Sequence, residues 1–247
     1  MKHFLFVAAS FFLFSLSNAQ GIKSSDYSSI ITTKKIILKY QDNAVDSLMI
    51  PVVSDKYPEL KKALCDTNLF FDDKLDTVIK RYQTTGTGIT YFNYEVTFVN
   101  KDIISLKLYY ETMGTYPDDA HQWLTLNIHT GASYPIGKEI NPAGLTWIFT
   151  TYKELLKKRI SDAENRLDKE KVDESYTAIY NDLITSADTL ASEEMLKRYV
   201  FTDKGIEFTT EDILPHAAAN FEPQRDWFIP YNKLKPYILP QAIVLKK

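Results

Sequence analysis

The sequence predicts an α+β fold with strands and helices in separate parts of the chain, and two observations support this. Residues 89–129 alternate apolar and polar side chains with a period of two, as antiparallel strands with one buried face do. After residue 140 the apolar side chains recur at three- and four-residue steps, which is the period of an amphipathic helix. Strands and helices in separate runs are typical of α+β proteins.

The strand-rich half is predicted to form an antiparallel meander with helices packed on one face. Its three strands cover residues 89–99, 103–113 and 121–129, joined by short polar turns. One face is expected to be apolar, and its residues are Phe92, Tyr94, Val96, Phe98, Ile104, Leu106, Leu108, Tyr110, Leu124, Leu126 and Ile128. Two earlier strands are expected at 31–40 and 47–53, then a helix over 57–65 and a second helix capped by Asp72.

The second half is predicted to be rich in helices and to contain a small sheet. A long helix begins at Asn141-Pro142, and a second helix follows over residues 176–184. Short strands are expected at 200–202, 206–210 and 226–229, before a short closing helix over 231–238. We therefore expect a first α+β subdomain over 31–140 and a second over 141–247, packed against each other.

The first nineteen residues have the pattern of a secretory signal peptide. Met1-Lys2-His3 is basic, residues 4–16 are uncharged and mostly apolar, and Ser17-Asn18-Ala19 offers a small-residue cleavage site. As a helix the apolar run would be about 20 Å long, shorter than the ~30 Å bilayer core. We expect a periplasmic or secreted protein with no membrane span after cleavage, and a flexible lead-in over 20–30.

Composition excludes some functions. The chain has 29 basic and 32 acidic residues among 247, a formal charge of −3, whereas nucleic-acid binding needs a basic surface. Cys65 is the only cysteine, so no intramolecular disulfide can form. Cys65 follows Leu64, which lies four residues after Leu60, and this position favours a buried thiol, with an intermolecular disulfide as the alternative.

The sequence carries no established signature of catalysis, metal binding or cofactor binding, and a cation site formed by Asp118, Asp119 and His121 is the alternative that stays open. It lacks His-Glu-x-x-His, a cysteine pair and Gly-x-Ser-x-Gly. His121 and His129 would lie about 26 Å apart on a regular strand at ~3.3 Å per residue, too far to share an ion. The run 131–138 is similar to a phosphate loop, but its spacing is one residue too long and Glu139 replaces the hydroxyl.

The predicted contact surface consists of Tyr116, Asp118, Asp119, His121 and Trp123. Aromatic and imidazole groups beside carboxylates are typical of binding patches. Two structural alternatives stay open: the long helix buries Trp123, and the two aspartates serve ordinary turn chemistry.

The order of several short motifs resembles a known exported module. The motifs are Ile103-Ile104-Ser105-Leu106, Asp119-Ala120-His121, Asn127-Ile128-His129-Thr130-Gly131, Asp203-Lys204-Gly205-Ile206-Glu207-Phe208, Leu214-Pro215-His216-Ala217 and Ile229-Pro230-Tyr231-Asn232-Lys233-Leu234. Together they resemble the paired extracellular domains of unknown function in lysozyme-binding anti-sigma factors, which also precede the catalytic domain of some peptidoglycan deacetylases. The resemblance implies an α+β fold without catalysis and, from the anti-sigma factors, a lysozyme-binding role.

Three hypotheses follow from the sequence. The first is an exported, non-catalytic envelope module that binds a protein, such as a lysozyme-like one, or cell-wall glycan. The second is a secreted glycan hydrolase whose carboxylates and His121 supply acid–base groups. The third is a structural envelope protein without a discrete ligand.

Overall fold

The computed structural model describes residues 27–41, 43–170, 174–190, 193–210, 214 and 222–246. The predicted signal peptide and His216 lie outside this part of the chain. The α+β prediction is confirmed, because the described residues form a five-stranded sheet, a three-stranded sheet and several helices.

The large sheet follows the chain order β1-β2-β3-β4-β5. Its strands are β1 Ile31–Tyr40, β2 Asn43–Val53, β3 Gly88–Val99, β4 Ile103–Met113 and β5 Pro117–Asn127. The predicted meander is confirmed in β3, β4 and β5, which pair antiparallel. The whole sheet is mixed, because Leu48 of β2 pairs with Phe92 of β3 in parallel.

Helices between β2 and β3 provide the crossover that a parallel pair requires. They are α1 Pro58–Ala63, α2 Asp66–Leu69 and α3 Leu75–Thr85. They cover the apolar face of the large sheet and share with it one hydrophobic core, which includes Leu48, Leu60, Leu69, Val78, Phe92, Leu106, Leu108 and Ile128. Helices therefore lie on one face, as predicted.

Two details of this half differ from the prediction. The N-terminus of α3 is at Lys74, and Asp72 has a positive φ of 71°, while the Leu75 N–H donates to Asp66 Oδ2 at 3.3 Å. Asp66 therefore does what Asp72 was expected to do. Phe98 also leaves the predicted face, because the register shifts between Val96 and Phe98, and a bulge redirects side chains.

The second half follows the predicted order of elements. Its elements are α4 Pro142–Glu170, α5 Glu174–Leu190, β6 Tyr199–Phe201, β7 Gly205–Phe208, β8 Trp227–Pro230 and α6 Tyr231–Leu234. A second core contains Ile148, Tyr152, Leu156 and Ile160 of α4 together with the small sheet. Phe98, Ile103 and Tyr134 from before residue 140 also belong to this core, so the two predicted subdomains share it.

The small sheet contacts the polar face of the large sheet through the edge strand β6. Thr97 Oγ1 donates to the Phe201 carbonyl at 2.7 Å, and Thr125 Oγ1 donates to the Tyr199 carbonyl at 2.9 Å. The Phe201 N–H donates in turn to Ser105 Oγ at 3.2 Å. Side-chain hydroxyls thus satisfy backbone groups that an edge strand would otherwise leave unpaired.

Glu139, which the sequence analysis considered only as a departure from a phosphate loop, is fully buried and binds the C-terminal segment. Its carboxylate accepts the N–H groups of Ile243, Val244 and Leu245 at 2.9–3.0 Å and the Tyr134 hydroxyl at 2.7 Å. Four donors satisfy the carboxylate, which explains how a charged side chain is accommodated in the core.

The end of the predicted flexible lead-in belongs to the fold. Ile30 is buried because its apolar side chain joins the core shared by the large sheet and its helices. Its carbonyl accepts the Ser54 N–H at 2.8 Å. Residues 20–26 lie outside the described residues.

Candidate functional site

Residues of both sheets line a cleft of about 590 Å³ on the polar side of the large sheet. We call the polar face beside it, with the facing end of the small sheet, the corner surface. Its residues are Glu95, Lys107, Tyr109, Glu111, Asp119 and His121 from the large sheet and Glu207, Thr209, Asp226 and Phe228 from the small-sheet side.

Lys107 and Glu207 join the two sheets at the base of the corner surface. Lys107 Nζ lies 2.6 Å from Glu207 Oε2, and the two side chains are only 14% and 27% exposed. The same ammonium lies 4.5 Å from the centroid of the Trp123 ring. A cation–π contact and an ion pair therefore share one lysine, and together they cover the indole.

Tyr109 and Glu95 form the next part of the surface. The Tyr109 hydroxyl donates to Glu95 Oε2 at 3.3 Å. Partial burial, and then the charge of Glu95, raise the pKa of Tyr109 to about 12, with smaller effects from Glu207 and Asp226. Carboxylates from both sheets, Glu95 and Glu207, thus act on the pKa of this one tyrosine.

His121 reaches the small sheet through Thr209. His121 Nε2 lies 3.3 Å from Thr209 Oγ1, which donates to Asp226 Oδ1 at 2.7 Å. Because the hydroxyl has one hydrogen and gives it to Asp226, Nε2 is the donor in the contact with Thr209. These two hydrogen bonds hold the imidazole beside the Trp123 ring, with 6.2 Å between the ring centroids.

The open end of the corner surface holds two carboxylates on neighbouring strands. Glu111 of β4 and Asp119 of β5 are directly opposite in the register, and both are exposed. Like charges directly opposite each other destabilise a sheet. The exposed rings of Tyr109 and Phe228 border the same surface, which is therefore acidic with aromatic groups.

The structure places the five residues of the predicted contact surface on different faces of β5 and in the turn before it. Asp119, His121 and Trp123 share the polar face of β5, and Asp118 lies on the opposite face because side chains alternate along a strand. Tyr116 is 70% exposed in the turn between β4 and β5. The third strand of the meander was expected to begin at residue 121, but β5 begins at Pro117, so most of the connection before it is strand.

Trp123 is buried, at 4% exposure, as the structural alternative for this residue required, but the layer that covers it is not the long helix. Lys107 and the small sheet occupy that face, and α4 packs on the far side of the small sheet, where Tyr152 lies 5.7 Å from the ring of Trp227. The small sheet, not the helix, is the layer next to the polar face.

Other sequence candidates do not join this site. His129 is exposed beyond the end of β5, where its Nε2 contacts the Lys101 carbonyl at 3.0 Å. Cys65 is half-buried, and its hydrogen bond with Thr67 is the main cause of a lowered thiol pKa. Among the residues that the structure describes, no three His, Cys, Asp or Glu side chains are grouped to hold a metal ion.

Sequence reasoning missed most of the corner surface. Lys107, Tyr109 and Glu111 alternate on β4 opposite the polar residues of β5, so strand pairing could have found them. Glu207, Thr209 and Asp226 are about 100 residues away in sequence, and no local pattern indicates that they meet β4 and β5.

No family model matches the sequence, and no curated protein matches it. Its fold is similar to that of a DUF3298 family protein from Pseudomonas aeruginosa PAO1, with a TM-score of 0.50 and 13% identity over 85% of this chain and 94% of that chain. A DUF3298 family member from Bacteroides fragilis NCTC 9343 has a TM-score of 0.43 and 14% identity over 85% and 93%. At this identity the first similarity shows the fold alone.

The first of these similarities supports the coarse part of the sequence resemblance, a fold shared with a protein from a family of unknown function. None of the helices in the described part of the chain combines the length and apolar character that a bilayer crossing requires.

Proposed function

We propose that this chain is an exported, non-catalytic binding domain of a bacterial envelope, and that the corner surface holds a basic protein such as a lysozyme-like enzyme. The pattern of residues 1–19 supports export, and the motif resemblance supports the class of partner. One structural observation carries the proposal: Glu111 and Asp119 face each other across β4 and β5 on an exposed surface.

The physical argument is that this carboxylate pair serves binding better than folding. Opposed like charges weaken the free sheet, whereas a lysine or arginine from a partner would relieve the repulsion. The exposed ring of Tyr109, two residues before Glu111 on β4, would supply apolar contact area on the same face, and Phe228 would supply more at the cleft. The ion pair of Lys107 and Glu207 would hold both sheets in position beneath the partner.

Stability and binding measured on the same variants test this proposal. Glu111→Gln and Asp119→Asn should each raise the free energy of unfolding by a few tenths of a kcal/mol, by about the size of a cross-strand pair energy. The same variants should weaken capture of a C-type lysozyme. Glu154→Gln, an exposed acid on α4, is the matched control and should change neither. Variants that leave lysozyme capture unchanged would exclude this surface.

A glycan hydrolase is the second candidate. The observation that favours it is the chain from His121 through Thr209 to Asp226, which links an imidazole to a carboxylate beside the cleft. Incubation with peptidoglycan separates the two functions, because a hydrolase releases soluble fragments and loses that activity in His121→Ala. Saturable retention on peptidoglycan without release, weakened by Asp119→Asn, would instead identify cell-wall glycan as the partner of the corner surface.

A further inference from the structure

A second surface lies on the opposite face of β5 from the corner surface. It is an open groove of about 650 Å³ between the helical segment 59–72 and β5, with the turn 130–132 closing one side. Gly131, with φ 65°, allows this turn to pack closely against the helical segment. An added Cβ there would lie only 2.3 Å from the Glu59 carbonyl oxygen.

Phe71 lines this groove, and its backbone conformation lowers the stability of the fold. Phe71 and Asp72 have φ values of 53° and 71°, and their side chains are exposed, the phenylalanine by 66%. A bulky residue in the left-handed region costs about 1–3 kcal/mol. Hydrogen bonds from the Asp72 N–H to the Thr67 carbonyl and from the Asp73 N–H to the Phe70 carbonyl hold the conformation.

A second feature that lowers stability, the buried hydroxyl of Tyr110, belongs to a ring in contact with Phe71. Tyr110 is 2% exposed, its ring centroid is 5.3 Å from that of Phe71, and its hydroxyl has no hydrogen-bond partner among the described residues. A buried hydroxyl without a partner costs about 1–3 kcal/mol. Unfavourable features that adjoin in this way are typical of functional positions.

The polar side chains that line the groove include two amides, beside the charged or hydroxyl groups of Glu59, Lys62, Thr67, Asp72 and Thr130. Gln122 is exposed on β5, and Asn68 is exposed on α2. The Asn68 amide nitrogen donates to the carbonyls of Lys62 and Ala63, and the amide oxygen is an acceptor by its chemistry. Leu124 supplies an apolar floor beside them.

We propose that this groove binds an N-acetylated oligosaccharide. The apolar face of one sugar ring would stack on Phe71, and its hydroxyl and acetamido groups would pair with Gln122 and Asn68. The acetamido methyl group would rest against Leu124. An apolar platform bordered by polar groups that can fix a ligand's orientation is what small-molecule sites usually present. This site is separate from the corner surface and does not depend on the proposed function.

The test is a saturation-transfer NMR and calorimetric titration of the purified protein with chitohexaose, with cellohexaose as the length-matched sugar without acetamido groups. Chitohexaose should bind, and cellohexaose should bind about tenfold more weakly, a difference of about 1.4 kcal/mol. Phe71→Ala and Gln122→Ala should each lower the chitohexaose affinity by about tenfold. Phe71→Tyr, which keeps the ring, should retain binding, and so should Ile37→Ala, an exposed apolar control on β1.

Three results would overturn the inference. They are the absence of chitohexaose binding, equal binding of the two sugars, and unchanged chitohexaose affinity in both Phe71→Ala and Gln122→Ala. Gln122→Ala removes an exposed side chain, so it keeps the test decisive if Phe71→Ala unfolds. Loss of lysozyme capture at the corner surface has no bearing on any of these outcomes.

Discussion

Lys107 Nζ lies 2.6 Å from Glu207 Oε2, and this ion pair connects residues of the two sheets that are 100 positions apart in sequence. The pair lies at the base of the corner surface, where the large and small sheets meet. Its low exposure distinguishes it from surface ion pairs, which contribute little. The pair therefore helps to fix the shape of the corner surface.

A double-mutant cycle measures that contribution. Lys107→Met and Glu207→Gln should each destabilise the protein, and the cycle should give a coupling energy of about 1–2 kcal/mol, as contacting residues do. Lys107→Met should cost more, because it also removes the cation above the Trp123 ring. Urea unfolding of the four proteins checks this. Additive single effects would mean that the pair does not couple the sheets.

Glu139→Gln should destabilise the protein by about 2–4 kcal/mol. A glutamine amide would turn an NH₂ group toward backbone donors that now point at a carboxylate oxygen, leaving buried groups unsatisfied. Chemical denaturation gives the value, with Glu154→Gln as an exposed control of the same chemistry. Equal, small effects in both variants would contradict the role assigned to Glu139.

Gly144→Ala should destabilise the protein although alanine favours helices. Gly144 lies in the first turns of α4, and an added Cβ would lie 2.4 Å from Ile140 Cγ2 and 2.5 Å from Tyr237 Cβ. Overpacking of this kind costs about 1–3 kcal/mol, more than the ~1 kcal/mol gained in helix propensity. Gly137→Ala, whose Cβ would meet only Leu145 at 3.7 Å, should be nearly neutral. A stabilised Gly144→Ala protein would show that the contact relaxes easily.

Tyr109 should titrate well above a free tyrosine, near pH 12. The folded state holds the phenolic proton more tightly than the unfolded state, so this stabilisation is complete below pH 10. It is lost as pH rises from about 10 to 12. Difference absorbance of the wild type against Tyr109→Phe gives the pKa, and Glu95→Gln should lower it. A pKa that Glu95→Gln does not change would contradict the contribution assigned to Glu95.

Local patterns predicted much of the fold. Alternation placed Ile104, Leu106 and Leu108 on the buried face of β4, and helical spacing placed Ile148, Tyr152 and Leu156 in the second core. Both predictions depend on neighbours in sequence, which set the period of a strand or a helix. The parallel pairing of Leu48 with Phe92 had no such signal, because it depends on a crossover of more than thirty residues.

The candidate site was only partly predictable for the same reason. The polar face of β5 identified His121 and Trp123, but their covering groups come from β4 and from the small sheet. Phe98 was placed on the wrong face because a bulge inserts one residue and ends the alternation. Contacts between distant segments and local irregularities are therefore what the sequence alone leaves open.

The most direct test of the binding account is an isothermal titration of a C-type lysozyme into the purified wild-type protein and into Asp119→Lys. The account predicts saturable binding to the wild type that weakens with added salt, since exposed charges are screened. Binding should be lost in Asp119→Lys, which reverses one charge of the opposed pair while the fold is retained. Equal affinity for both proteins, or no heat with the wild type, would contradict the assignment of the corner surface as the contact site.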